Sequence, residues 1–243
     1  MKNRTQTILL LAVPVVLSGC SGIRSFSHQM GMPAWLTWTL IVLVLLGICA
    51  IAAVIGEKHF RRHEEELKAL ADGLGMQYTN LKPNDADYLA WKITGLQKGR
   101  NVRIEQVRRG GSGQRQSLML VSASCKGPPE LHGEMGYRSF LTAEPTHTLE
   151  MLKPQGDSTL ADRNIYASVQ GPLAPETIAQ LRVGGILRDA GMREVGLRLK
   201  PDGVHLYYDR RPETLNRDAG FVRLAVESVL ELAEYAERSG SGR

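Results

Sequence analysis

Apolar residues crowd the front of this chain, then thin into alternating and helical patterns. The first run, Ile8–Leu17, is ten residues long. As a helix rising 1.5 Å per residue it reaches about 15 Å, half the hydrocarbon thickness of a bilayer. Pro14 interrupts it as well, and Lys2 and Arg4 precede it. Length and flanks predict a signal-peptide core rather than a span. The second run, "PAWLTWTLIVLVLLGICAIAAVIG" (33–56), carries no charge. At roughly 23 residues it is long enough to cross a bilayer with some tilt, and it predicts one transmembrane helix. Trp35 and Trp38 lie near its first end, at the headgroup level that indole rings favour, and Lys58, Arg61 and Arg62 follow its other end.

Beyond the span the pattern changes period. In "EKHFRRHEEELKALADGLGM" (57–76), Phe60, Leu67, Leu70, Ala71 and Leu74 recur at helical spacing. That stripe predicts a helix continuing from the membrane, ended by Gly73 and Gly75, and docked on its own domain rather than on a coiled-coil partner. Strand patterns follow at 76–80, 88–97, 100–109 and 117–124, with "GGSGQRQ" (110–116) as a hairpin loop. Residues 126–161 are rich in Gly and Pro and read as irregular, with one short helix around Thr146–Leu152. A strand at 164–173 and a helix in "APETIAQLRVGGILRDAGM" come next, with Pro175 in the first turn and Gly191 closing it. Two strands flank the turn Pro201-Asp202-Gly203, and a last helix ends near Arg238. Strands grouped in hairpins predict an α+β fold: a single domain (57–238) with a mainly antiparallel sheet and about three helices. Residues 239–243 read as a disordered tail.

Charge decides orientation more than partner. Between Ser25 and Gly56 there is no Lys, Arg, Asp or Glu, and only three of the 30 basic residues (Lys2, Arg4, Arg24) precede Glu57. The rest of the chain carries 27 basic against 25 acidic residues, too even a balance to indicate a nucleic-acid partner. Basic residues close to the span are Arg24 before it and Lys58, Arg61, Arg62 and Lys68 after it. The positive-inside bias therefore predicts that the Trp end faces out and the domain faces the cytoplasm. Cys49/Ala53 and Ala52/Gly56 place small residues four apart on the span, a spacing that admits a homodimer through that helix.

Leu17-Ser18-Gly19-Cys20 resembles the lipobox of bacterial lipoproteins. The resemblance implies cleavage between Gly19 and Cys20 (1–19 being the signal peptide), acylation of the Cys20 thiol, and a short extracytoplasmic segment (20–32) before the span. It also implies a bacterial inner-membrane protein, anchored twice. The remainder is similar, over roughly 64–237, to membrane-tethered bacterial domains of unknown function. The matching positions are Leu74-Gly75, Asp162, Tyr166, Val169 and Gly171, and the Asp202-Gly203 turn. No activity comes with that resemblance.

Patterns that would carry chemistry are incomplete. "RRGGSGQR" (108–115) lacks the Gly-Lys-Ser/Thr and following helix of a phosphate loop, and Ser112 lacks the second glycine of a nucleophile elbow. His132, His147 and His205 show no metal-ligand spacing. Cys125 has Lys126 beside it, which would lower its pKa, but no identifiable base. Gly184-Gly185 reads as a close approach of helix to sheet, and Asp85/Asp87 and Asp157/Asp162 as solvated loop charges. The chain thus reads as a tethered protein-interaction module working with another envelope or cytoplasmic protein. Catalytic residues, metal and cofactor are expected to be none. Two alternatives stay open: a membrane-surface enzyme whose site is not visible in sequence, and a periplasmic lipoprotein domain.

Overall fold

The computed structural model describes residues 33–82, 90–109, 116–137, 140, 150–151, 165–170, 173–189, 191–210 and 218–241. The chain divides into two compact units, 1–65 with 83–87, and 66–82 with 88–243. One helix, α1 (Ala34–Gly73), runs through both ranges.

In the first unit α1 is the described element, and its apolar part is bare. Trp35, Leu40, Val42, Leu43, Val44, Leu46, Ile48, Ile51, Val54 and Ile55 are all exposed. In water that surface would be costly, and a hydrocarbon solvent would accommodate it. By length and composition the helix can cross a membrane. Thr39 is tolerated because its hydroxyl donates to the Trp35 carbonyl (2.9 Å).

The second unit is a nine-stranded antiparallel sheet with helices on one face. Its strands are β1 (Gln77–Asn80), β2 (Trp91–Gln97), β3 (Arg100–Arg109), β4 (Gln116–Ser124), β5 (His132–Tyr137), β6 (Glu150–Met151), β7 (Ile165–Gln170), β8 (Met192–Lys200) and β9 (Gly203–Arg210). The spatial order is β1-β2-β3-β4-β9-β8-β5-β7-β6. Short helices α2 (Pro175–Gln180) and α3 (Arg182–Arg188) precede β8, and α4 (Ala219–Ser241) closes the chain. α4 lies over the central strands β4 and β9, with α3 beside it against β8. The last turns of α1 add Leu67, Leu70 and Ala71 to the same core as Ile93, Ile104, Met119, Val121, Leu197 and Leu206. This is the α+β architecture that the strand grouping predicts, and it confirms that the α1 stripe docks on its own domain.

Local chemistry sets the ends. Gly75 stands at φ 64°, where its N–H bonds the Asp72 carbonyl and the Met76 N–H bonds that of Ala71, a Schellman close to α1. Asp218 caps α4 by accepting from the Gly220 and Phe221 amides. Lys98-Gly99, both at positive φ, make the two-residue turn between β2 and β3.

The structure departs from the sequence reading in four places. β5 and β6 occupy a region read as irregular, and β6 falls where a short helix was expected. α2 and α3 replace one continuous helix, because Leu181 is extended (ψ 169°). Gly184 is the reason for the tight reversal: a Cβ there would sit 2.0 Å from the Ala179 carbonyl oxygen. It therefore serves a helix-to-helix approach, not the expected helix-to-sheet one. Residues 239–241, read as tail, are helical in α4.

Candidate functional site

Two regions are built in ways that a bare scaffold would not require: the apolar stretch of α1 and the sheet face opposite the helices. On α1 Trp35 and Trp38 are 68% and 37% exposed, near one end of the apolar stretch. Lys58, Arg61 and Arg62 are exposed within two turns of the other. From Trp35 to Gly56 the helix rises about 33 Å, matching a hydrocarbon core of about 30 Å. Arg61 pairs with Glu57 (2.7 Å), one turn back. Gly19 and Cys20 lie outside the described residues.

The second region follows from strand register. Side chains alternate across a sheet, so one set of positions faces the helices and the other faces away. Along the far face, Thr94, Arg103, Ser122, His205, Arg198, Glu134 and Ser168 are consecutive register partners across seven strands. Arg198 Nε donates to Glu134 Oε1 at 2.6 Å, both groups mostly buried. Arg103 pairs with Glu105 on its own strand. The adjoining row is apolar: Leu120, Tyr207, Gly196, Gly136 and Tyr166 are successive partners. Phe140 lies on this row at 3% exposure, beside Leu118 and against Tyr207 with ring centroids 5.3 Å apart. Glycine at 196 is what admits the ring: a Cβ there would fall 2.0 Å from it.

His205 sits at the centre of the polar row. Burial pushes its pKa down, and Lys200, Arg198 and Arg103 push the same way against the opposing carboxylate of Asp202. Its Nε2 reaches toward Gly203, where a Cβ would come within 3.3 Å of it. Ser124, the partner of Gly203, accepts a hydrogen bond from the Asn101 amide (3.0 Å), which leaves its hydroxyl proton to donate outward.

Other residues singled out by sequence fall elsewhere. Cys125 is buried, its thiol donating weakly to the Lys200 and Pro201 carbonyls at 3.8 Å. Burial pushes its pKa up, outweighing the hydrogen bond of the Gly127 amide, and nearby Glu237 and Asp202 add to the rise, so the lowering expected from Lys126 is overturned. Lys126 instead uses its backbone amide to bond Glu237 (2.8 Å), which also holds Arg100 (2.6 Å). His132 is exposed at the start of β5. Among the described residues no group of three His, Cys, Asp or Glu side chains could hold a metal. Ser112, His147, Asp85, Asp87, Asp157 and Asp162 lie outside the described residues.

No family model matches the chain, and no curated protein does. Among solved structures it is similar to the mycobacterial trehalose monomycolate transport factor A, TtfA. The two are 15% identical, the match covers 72% of this chain and 92% of that one, and the TM-score is 0.44. A likeness at that level is too weak to transfer any property.

Proposed function

We propose that the chain is an integral membrane protein that holds an α+β interaction domain at the cytoplasmic surface of a bacterial inner membrane. One observation carries this reading: a single uninterrupted helix bears the bare apolar stretch and, from Leu67 on, three residues of the domain's own core. The broad far face of the sheet, with its half-buried polar row, is the surface offered to a protein partner. Cys20 carries a lipid on the outer side, a second anchor added to an existing one.

Three measurements test the parts separately. A reporter active only outside the cytoplasm, fused after Arg243, stays silent; activity would reverse the topology. Photo-crosslinkers placed at Arg103 or Thr94 in intact cells trap a discrete partner, while one at Glu176, on α2 and exposed, does not. Equal trapping at all three positions would remove the far face from the proposal. Fatty-acid labelling is lost in Cys20→Ala; retained label would remove the lipid.

A further inference from the structure

The charges that follow the apolar stretch of α1 are sorted along its axis. Between Ser25 and Gly56 there is none; then come Glu57, Lys58, Arg61 and Arg62, and only after these Glu64, Glu65 and Glu66. At 1.5 Å per residue, Lys58, Arg61 and Arg62 stand about 3, 8 and 9 Å beyond Gly56, and the three later glutamates about 12–15 Å. The headgroup layer of a bilayer is about 5–8 Å deep on each side. Side chains on a helix lean toward its N-terminus, which here is the apolar end, and the long cationic ones reach furthest. Arg61 shows that lean: its guanidinium meets Glu57 Oε1 at 2.7 Å, one turn nearer the apolar stretch. The layer therefore receives three cations against one carboxylate, Glu57, while the other glutamates stand beyond it.

We infer that Lys58, Arg61 and Arg62 form a collar that binds the phosphate groups of anionic phospholipids in the leaflet around α1. This rests on the reading of α1 as a membrane span. Positions 58, 61 and 62 are three and four residues apart, so they share one face of the helix, and all three residues are exposed. Lys58 and Arg62, one turn apart, repel each other along that face, and an anion between them relieves the repulsion. The pair with Glu57 does not use up Arg61. Its two side chains are 72% and 63% exposed, which makes the pair weak. It engages Nη2 alone, leaving the Nε and Nη1 donors for a phosphate, the geometry in which a guanidinium binds oxyanions best. A zwitterionic headgroup carries its own cation beside its phosphate and gains less from the collar.

The test compares spin-labelled phosphatidylglycerol with spin-labelled phosphatidylcholine, each at trace level in phosphatidylcholine vesicles that hold the full chain. The fraction immobilised by the protein favours phosphatidylglycerol by about fivefold in relative association, the scale of one basic residue at an anionic surface. That preference falls to near unity when Lys58→Gln, Arg61→Gln and Arg62→Gln are combined, in a variant that still immobilises phosphatidylcholine. It survives when Lys82→Gln, Lys126→Gln and Lys200→Gln are combined, which removes three exposed cations of the domain. Equal association of the two lipids with the wild type, an undiminished preference in the collar variant, or equal loss in both variants overturns the proposal. A chain that immobilises neither label has not entered the bilayer, and that result sinks the span and the collar together. Equal immobilisation of both labels sinks the collar alone. Labelled lipid occupies both leaflets, so the outcome does not depend on the membrane side that the domain occupies.

Discussion

At the residue scale, two side-chain environments make opposite demands. Gly196 is closed by an aromatic ring, so Gly196→Ala must push Phe140 off the sheet. Overpacking of this kind costs about 1–3 kcal/mol, which lowers the melting temperature of a domain this size by several degrees. The same change in a Phe140→Ala background costs clearly less, because the ring it strikes is gone. Additive losses in the double variant would show that the ring is not the obstacle. His205 makes a demand on pH instead. Its folded pKa lies below the ordinary value of about 6.5, so the unfolded chain takes up the proton first. The stability it contributes is complete above that value and declines as pH falls through it toward the folded pKa. The groups facing it are Arg198 and Lys200 from β8, Arg103 from β3 and Asp202 from the turn. His205→Gln flattens the acid side of the stability–pH profile; an unchanged slope below pH 6.5 would place the acid sensitivity elsewhere.

At the element scale, legibility followed how far local chemistry decided each segment. β3 was readable to its last residue because Val102 and Ile104 alternate with polar neighbours and glycines stand next to both ends in the sequence. The β8–β9 hairpin was readable from Pro201-Asp202, and α4 from the apolar stripe Phe221, Leu224, Ala225, Val229, Leu232 and Ala236, all of it buried except Leu224, which is exposed. β5 was not. His132-Gly133-Glu134-Met135-Gly136-Tyr137 has two glycines in six residues, a composition that reads as loop. Those glycines are required by neighbours far along the chain: a Cβ at Gly136 would meet the Val195 carbonyl at 2.5 Å and one at Gly133 the Val169 Cα at 2.8 Å. Long-range packing thus decided a strand that local propensity opposes. The far-face row was hidden for the same reason, since Arg103, Ser122, Arg198 and His205 become neighbours only through register. By contrast the close of α1 is local and predictable. Gly75→Ala forces a Cβ into the left-handed region without any clash, and costs about 1 kcal/mol. Loss of that close loosens the last turn, seen as faster amide exchange at Leu74 to Met76; unchanged exchange there would show that packing of Leu67, Leu70 and Ala71 holds the end without it.

At the scale of the whole molecule, the question is what sets the orientation of α1. A bare apolar helix is equally at home in a bilayer pointing either way, so its direction must come from its flanks. Trp35 and Trp38 favour the headgroup region on both sides and carry no directional information. The exposed cations Lys58, Arg61 and Arg62 do, against Arg24 on the leading flank. The Arg61–Glu57 pair does not cancel this, because acidic residues count little in the bias and an exposed pair in a high dielectric is weak. Replacing Lys58, Arg61 and Arg62 with Gln leaves Lys68 against Arg24, a near balance. The expected outcome is a mixed population, in which a C-terminal reporter silent in the wild type becomes active in a sizeable fraction of chains. Restoring Arg61 alone shifts the population back toward silence. If the triple variant stays fully silent, the orientation is set before the span is reached, by Lys2 and Arg4 ahead of the first apolar run, and the span merely follows.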